Sequence, residues 1–249
     1  MSPVLQTHDL CKSFGALAVA EKINFRLQAG DRHALIGPNG AGKTTFVNLL
    51  TGLLPPTSGR VTLGGEDVTL LAQSARVKRG LGRTFQINTL FREMSVLDNV
   101  ALGIAERLGL AGKLWRPAGE HRVVRDEAMA LLGSLAIGDE GSRRVIDLPY
   151  GKQRLVEIAI ALGLKPKVLL LDEPAAGVPS VESERILQAL DSLPKDIAIL
   201  IIEHDMDVVF RFAQRITVLV QGEVLCEGTP EEIANDPRVQ SVYLGEKRA

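Results

Sequence analysis

A glycine-rich segment at residues 37–44 restricts the possible folds of this chain more than any other part of its sequence. It follows a short apolar run at residues 33–36, which predicts a buried strand, and it precedes residues 44–54, which carry apolar side chains at helical spacing. A strand, a glycine-rich loop and a helix in this order form a phosphate cradle, because the loop turns backbone N–H groups inward and the helix N-terminus adds positive potential. The chain is therefore expected to have an α/β fold with a P-loop nucleotide-binding core.

The predicted cradle gives each polar residue in it a separate role. Lys43 would neutralise the β- and γ-phosphates, the Thr44 hydroxyl would bind Mg²⁺, and Thr45 would contact the α-phosphate. The candidate nucleotide-binding residues of this segment are Gly37, Pro38, Asn39, Gly40, Ala41, Gly42, Lys43, Thr44 and Thr45.

Two carboxylates follow a second apolar run. Residues 168–171 predict a strand, and Asp172 and Glu173 stand at its end. An acidic turn after a strand is common by itself, but together with a P-loop it indicates a site for magnesium and water. Asp172 would hold Mg²⁺ through water, and Glu173 would act as the general base on the attacking water. The two motifs together predict that the chain binds and hydrolyses ATP.

Three further residues are candidates with a structural alternative. His204 follows the apolar run 197–202 and can hold the attacking water at the γ-phosphate, although a lone histidine is more often structural. Gln86 lies in a loop-like stretch, where its amide can coordinate Mg²⁺, but an ordinary surface glutamine is the default. The ring of Phe14 can either stack on adenine or pack in the core.

The middle of the chain predicts a helical insertion. Helical spacing dominates residues 94–135, with a break at residues 109–119. We therefore assign residues 88–154 to a helical subdomain, and residues 1–87 and 155–249 to the nucleotide-binding core. The core helix that follows the insertion is predicted at residues 155–164.

Strand patterns in the core predict two kinds of sheet. The β-branched residues of segment 197–202 favour a parallel sheet buried on both faces. Alternating patterns at residues 4–7 and 23–27, and a hairpin at residues 216–227, predict antiparallel pieces. The expected fold is a RecA-like P-loop core with a mostly parallel sheet, an antiparallel β edge and an inserted α-helical subdomain.

Composition excludes several classes of protein. A formal net charge of −1 on 249 residues offers no electrostatic reason to bind nucleic acid. Cys11 and Cys226 have neither metal-site spacing nor a disulfide framework, which indicates reduced cysteines in a cytosolic protein. The amino terminus has no secretory signal, and the apolar runs are too short to span a bilayer. If the protein works at a membrane, we expect another chain to hold it there.

The order of the motifs resembles that of the ATP-binding subunits of ABC transporters, over essentially the whole chain. The motifs are residues 37–44, then Gln86, then Leu148, Pro149, Tyr150, Gly151 and Lys152, then Asp172 and Glu173, and then His204. The resemblance implies a head-to-tail dimer in which the signature, residues 148–152, closes over the ATP of the partner subunit. It also implies that Gln86 is the Q-loop glutamine beside a helical subdomain that receives coupling helices, and that Phe14 is the A-loop aromatic.

Five segments carry a finer resemblance, to the larger ATPase of the branched-chain amino-acid importers. They are residues 82–86, 97–100, 202–206, 227–230 and 236–245. The resemblance implies a second ATPase subunit in a heterodimer, with a homodimer as alternative, two membrane permease subunits and, indirectly, a periplasmic substrate-binding protein. It implies a peripheral position on the cytoplasmic face of the inner membrane and uptake of branched-chain or other hydrophobic amino acids.

Other cargoes and another class of protein remain alternatives. ATPases for urea or aromatic-acid import, or for lipopolysaccharide export, share much of this pattern. A soluble ABC ATPase that acts on ribosomes or in DNA repair is disfavoured, because such proteins usually carry two such domains or a long coiled coil, and this chain has one P-loop.

The sequence departs from the family pattern at two places. In the signature, Pro149 replaces a serine, Tyr150 replaces a glycine and Lys152 replaces a glutamine, while Gly151 is retained. Proline suits the first turn of a helix, so the helix itself should form. In the loop after Glu173, Pro179 stands where aspartate or asparagine is usual. We expect a weakened signature, and hence a chain that works best beside a sister ATPase.

Overall fold

The six-stranded sheet that forms the centre of the molecule is mostly parallel. The structure, a computed structural model, describes residues 3–84, 90–110 and 121–245. Its strands are β4 (Arg32–Ile36), β7 (Leu81–Arg83), β8 (Val168–Asp172), β9 (Ala198–Ile202), β10 (Arg215–Val220) and β11 (Glu223–Gly228). Their order across the sheet is β11, β10, β4, β9, β8 and β7. Only β11 runs antiparallel to its neighbour. The predicted parallel core and the carboxy-terminal hairpin are confirmed.

A second, antiparallel sheet covers one side of the nucleotide-binding core. It consists of β1 (Leu5–Phe14), β2 (Leu17–Ile23), β3 (Arg26–Leu27), β5 (Ser58–Leu63) and β6 (Glu66–Asp67). Helix α1 (Lys43–Thr51) buries Phe46, Val47 and Leu50 in an apolar cluster shared with this sheet and with β4, β8 and β9. The helix that follows the glycine-rich loop is therefore held between two sheets.

The amino-terminal strands differ from the sequence prediction. Short strands were expected at residues 4–7 and 23–27, whereas β1 and β2 form one long hairpin. Their pairing shifts register between Leu10 and Lys12 and again between Lys12 and Ser13. Such irregularities interrupt the alternation of apolar and polar residues from which strands are recognised in a sequence.

The helices lie mostly on the other face of the central sheet. Their bounds are α2 (Gln73–Val77), α3 (Val96–Arg107), α4 (Arg122–Ser134), α5 (Tyr150–Gly163), α6 (Ser180–Asp191), α7 (Met206–Phe212), α8 (Pro230–Asn235) and α9 (Pro237–Gly245). Apolar residues of α3, α4 and α5 join one buried cluster with residues of the sheet. None of the helices within the described ranges is long and apolar enough to cross a membrane.

Helix α5 joins the inserted segment to the core. It begins at Tyr150, five residues before the helix predicted at 155–164, because Pro149 takes an extended conformation at the N-cap and starts the helix there. The division that we propose between subdomains, at residue 154, therefore falls inside a continuous helix. The signature residues 148–152 lie at the amino-terminal end of that helix.

Candidate nucleotide site

The glycine-rich loop leads from β4 directly into α1. Gly42 is the N-cap of α1, with φ of 99°, a left-handed conformation that favours glycine. A Cβ atom at this position would lie 2.7 Å from the carbonyl oxygen of Val19, so no larger residue fits without a shift. Because Gly42 has no side chain, it cannot satisfy the first N–H groups of the helix, as a serine or aspartate cap does. This terminus therefore fits an anion such as phosphate.

Lys43 is folded onto the loop that precedes it. Its Nζ donates to the carbonyl oxygens of Gly37, at 2.6 Å, and Pro38, at 3.0 Å. The ammonium group thus lies within the curve of the loop, beside the helix N-terminus. The role of Lys43 at the phosphates stays a prediction.

The acidic pair lies at the carboxyl end of β8. Asp172 is buried, and its Oδ2 accepts a hydrogen bond from Nη2 of Arg83 at 3.0 Å. Glu173 has φ of 48°, an uncommon conformation for a residue with a side chain. Its N–H donates to the carbonyl oxygen of Ile202 at 2.9 Å, which ties the turn to the next strand. Strained backbone of this kind is concentrated at functional sites.

The structure brings the predicted base and the predicted histidine together. Nδ1 of His204, which follows β9, lies 3.6 Å from Oε1 of Glu173. The imidazole is largely exposed, whereas the Glu173 side chain is about one third exposed. Residues 168–172 and 198–202 are neighbouring parallel strands, so their carboxyl ends meet at one edge of the sheet. The loop that follows β4 leaves the same edge, because β4 pairs in parallel with β9.

Glu203 is a residue of this site that the sequence reasoning missed. It is buried, and its carboxylate accepts the backbone N–H groups of Ala175, at 3.1 Å, and His204, at 3.2 Å. Burial raises the pKa of the Glu203 carboxyl above its usual range. Glu203 thus ties the loop after Glu173 to the segment that carries His204. An acidic residue directly after five buried apolar ones was the signal that could have revealed it.

The signature residues make contacts within their own chain. The N–H of Gly151 donates to Oε2 of Glu182 in α6 at 3.1 Å, and Lys152 forms an ion pair with Glu140. The hydrogen bond from Lys152 lowers the pKa of the Glu140 carboxyl. A groove of about 720 Å³ runs along Gly151, Lys152 and Glu182. The sequence analysis did not foresee either acidic partner.

Tyr150 is anchored by a buried ion pair. Its hydroxyl accepts a hydrogen bond from Arg154 at 2.7 Å, and the guanidinium carbon lies 5.0 Å from the centre of its ring. Arg154 also donates to Glu157 at 2.8 Å, and both side chains are buried. The tyrosine that replaces a signature glycine is therefore part of the packing of α5.

Phe14 and Gln86 are the two remaining residues that the sequence analysis assigned to the site. The ring of Phe14 is 52% exposed at the end of β1, with Nζ of Lys12 5.1 Å from its centre. It is therefore available for stacking and is not a core residue. Gln86 lies outside the described residues, so its predicted role stays a prediction.

The oxygen ligands available at the site fit magnesium when it is bound together with phosphate. In the described part of the chain, no three His, Cys, Asp or Glu side chains are grouped as a metal site. Asp172 and the Thr44 hydroxyl are oxygen donors, which Mg²⁺ prefers, and Mg²⁺ usually takes one or two carboxylates beside substrate phosphates. The remaining ligands would be phosphate oxygens and water.

Comparison with known proteins adds two family matches. Residues 20–176 match the family model described as "ABC transporter". Residues 223–249 match the model described as "Branched-chain amino acid ATP-binding cassette transporter". The second match includes the segment 236–245, whose resemblance to this group was noted from the sequence.

Individual proteins are similar to the chain over nearly its full length. The high-affinity branched-chain amino acid transport ATP-binding protein LivG of Salmonella typhimurium is 38% identical over 251 residues, covering 98% of each chain. The crystal structure of the ADP conformation of an ATP-binding cassette of an ABC transporter has a TM-score of 0.87 at 32% identity, covering 98% of this chain and 100% of the other. A dimeric post-hydrolysis cassette bound to ADP and Pi has a TM-score of 0.75 at 25% identity, covering 91% and 98%.

Proposed function

The chain belongs to the ATP-binding proteins of ABC transporters, in the branched-chain amino acid group, and on this premise we propose that it hydrolyses ATP to power uptake of branched-chain or other hydrophobic amino acids. One observation carries the catalytic part of the proposal. The phosphate loop, the pair Asp172 and Glu173, and His204 follow three neighbouring parallel strands at one edge of the sheet. Glu173 and His204 are 3.6 Å apart there.

The residues of the phosphate loop bind the nucleotide in this proposal. The N–H groups of residues 37–44 and Nζ of Lys43 hold the phosphates, Thr45 contacts the α-phosphate, and Phe14 stacks on adenine. Thr44, Gln86 and Asp172 hold Mg²⁺, which when bound neutralises phosphate charge.

Glu173 and His204 act on the attacking water. Glu173 accepts a proton from this water as general base, and His204 keeps the water and the γ-phosphate in line. Their proximity supports this division of roles, because catalysis of phosphoryl transfer rests mainly on positioning and charge stabilisation. The Glu203 carboxylate accepts hydrogen bonds from the N–H groups of Ala175 and His204. It thereby connects the loop after Glu173 to the segment that carries His204.

The signature residues Leu148, Pro149, Tyr150, Gly151 and Lys152 face the ATP of a partner subunit in this proposal. The N–H of Gly151, at the N-terminus of α5, donates to this phosphate in the proposal, in place of its hydrogen bond to Glu182. Pro149 has no hydroxyl to add, and Pro179 stands in the loop that would link the two sites. We therefore propose a heterodimer in which a sister ATPase supplies the complete signature.

The heterodimer can be tested by comparing the turnover of the purified chain with that of the assembled transporter. Slow hydrolysis by the chain alone and fast hydrolysis in the assembly are expected, since the chain alone lacks the sister signature. Equal rates per ATP site would contradict the heterodimer.

The proposed partners are the sister ATPase, two membrane permease subunits and, indirectly, a periplasmic substrate-binding protein. With these partners, we propose a peripheral position at the cytoplasmic face of the inner membrane. The decisive experiment is copurification of the chain from its native membranes in mild detergent, with the partners identified by mass. Two polytopic membrane proteins and a second, shorter ATPase are expected. A lipid-export complex, or ribosomal or repair proteins without a membrane chain, would overturn the proposal.

A further inference from the structure

The side chain of Arg83 connects two of the elements that build the nucleotide site. Arg83 is the last residue of β7. Its Nη2 donates to Oδ2 of Asp172 at 3.0 Å, and its Nη1 donates to Oδ1 of Asn48 at 2.9 Å. Asn48 belongs to α1, the helix whose first residue is Lys43. One guanidinium group thus links the end of β8 to the helix of the phosphate loop.

The ion pair between Arg83 and Asp172 is buried. The side chains of Arg83 and Asp172 are 9% and 10% exposed. A buried ion pair gains little net stability over apolar residues of the same volume, because both charges lose their hydration. It does impose a defined geometry, since a planar guanidinium presents its donors in a rigid fork. Stability alone is therefore a poor reason for an arginine at this position.

The geometry leaves the carboxylate open on one side. Arg83 contacts Oδ2, and no N–H or side-chain donor of the described residues contacts Oδ1 of Asp172. A carboxylate held by one oxygen keeps its orientation and can offer the other oxygen to a ligand. Carboxylates that bind metals are generally oriented by a hydrogen bond from a neighbouring group.

We propose that Arg83 is a positioning residue that orients the Asp172 carboxylate toward magnesium, with Asn48 holding the guanidinium in place. This inference rests on the proposed role of Asp172 as the magnesium carboxylate. If Arg83 instead only competed with Mg²⁺ for the Asp172 carboxylate, it would weaken metal binding, and its removal would strengthen metal binding. The two effects have opposite signs, so one measurement separates them.

The test measures how much Mg²⁺ tightens nucleotide binding. The full chain with Glu173→Gln, in which hydrolysis is expected to be suppressed, is titrated with a fluorescent ATP analogue in EDTA and in saturating Mg²⁺. The ratio of the two dissociation constants is the magnesium gain, a coupling between the two ligands. In Arg83→Gln we expect this gain to fall about tenfold. Binding in EDTA should change less than about twofold, because the phosphate loop is intact.

Two further variants keep the test informative if Arg83→Gln does not fold. Arg83→Lys retains the charge but not the fork, and Asn48→Ala removes the second anchor of the guanidinium. Each should lose a smaller part of the magnesium gain, about threefold. Arg79→Gln is the matched control: Arg79 pairs with Glu66 at 3.2 Å on the surface, four residues earlier in the chain. It should keep the full gain.

The outcomes separate this inference from the function on which it rests. If Asp172→Asn keeps the full magnesium gain, the proposed role of Asp172 itself fails. If Asp172→Asn loses the gain while every folded variant at Arg83 and Asn48 keeps or increases it, only the positioning role of Arg83 is overturned. A reduced gain in these variants, with unchanged binding in EDTA, supports it.

Discussion

Two surfaces of this molecule carry family motifs, and they differ in how closely they keep the family pattern. The nucleotide face comprises residues 37–45, Asp172, Glu173 and His204, and all of its expected residue types are present. The signature face comprises residues 148–152, and three of its five residues depart from the pattern. The nucleotide face is held mainly by backbone contacts and by Arg83 and Glu203. The residues of the signature face are held by charged side chains of the same chain, namely Glu182, Arg154 and Glu140.

This difference has a physical consequence. The carboxylate of Glu182 accepts the N–H of Gly151, which is the group that we propose for the phosphate of the partner subunit. Tyr150 and Lys152 are bound to Arg154 and Glu140. A site completed by this signature would have fewer free donors than one completed by a serine-containing signature. The comparison therefore predicts large effects of substitutions on the nucleotide face and modest ones on the signature face.

The largest effect is expected for Glu173→Gln. Loss of the general base should reduce ATP turnover by about 10³-fold, while ATP binding remains, because the phosphate loop is unchanged. Steady-state phosphate release and equilibrium binding on the same preparation measure the two effects. Unchanged turnover would mean that Glu173 is not the base, and the nucleotide face would lose its catalytic assignment.

Lys43→Ala should act on binding itself. Removal of the ammonium group that lies inside the loop should weaken ATP affinity by about 100-fold, since charged hydrogen bonds contribute about 1.5–3 kcal/mol each. Lys165→Ala is a suitable control for loss of a lysine, because Lys165 pairs with Glu127 at 3.4 Å and belongs to neither face. Unaltered ATP affinity in Lys43→Ala would contradict the role assigned to it.

A third prediction concerns the pH dependence of the stability of the fold, which depends on His33 and not on residues of either face. His33 is fully buried in β4, its Nε2 is 2.8 Å from the Thr217 hydroxyl, and burial lowers the pKa of its imidazole to about 4. Its ordinary pKa is 6.5. Between these values the unfolded chain binds more protons than the folded one, so stability falls as the pH drops.

When the pH is lowered from 7.5 to 5, the contribution of His33 should reduce the free energy of unfolding by about 2 kcal/mol. Urea denaturation at both pH values measures it, and His33→Gln should lose this part of the pH dependence. Variants of either face should retain it. An equal pH dependence in the wild type and in His33→Gln would remove His33 as the cause.

The smallest effect is expected on the signature face. Pro149→Ser restores the family hydroxyl and should raise turnover at the partner's ATP site about tenfold, which corresponds to one added hydrogen bond to a charged group. The ATP site of this chain should be unaffected. Mixed dimers, in which one subunit carries Glu173→Gln or its equivalent, assign the turnover to one site. A change at the chain's own site would contradict the proposed geometry.

Much of the fold and of the nucleotide face was predictable because the signals are local. A phosphate loop needs glycine at defined positions, and parallel strands need apolar residues on both faces, so both leave contiguous patterns. The roles of Glu173 and His204 were proposed from the sequence, but their proximity was not, because it depends on β8 and β9 being neighbouring parallel strands. The long hairpin of β1 and β2 was missed because two register shifts interrupt its alternation.

The residues that support the two faces were not predictable, because their roles arise from contacts between distant segments. Arg83 and Asp172 are 89 residues apart in the chain, and Gly151 and Glu182 are 31 apart. An arginine or a glutamate has many possible partners, and a single sequence contains no information that selects one. Only the packing of α6 against α5, and of β7 beside β8, selects these pairs.

The sequence by itself determined the kind of chemistry: a phosphate loop, two carboxylates at the end of a strand, a histidine after the next strand, and a signature with altered side chains. The tertiary structure decided which groups hold them, namely Arg83 on Asp172, Glu203 beside His204, and Glu182 on Gly151. The physical reason is that backbone conformation depends on neighbouring residues, whereas a buried charge must find its partner wherever the fold places one.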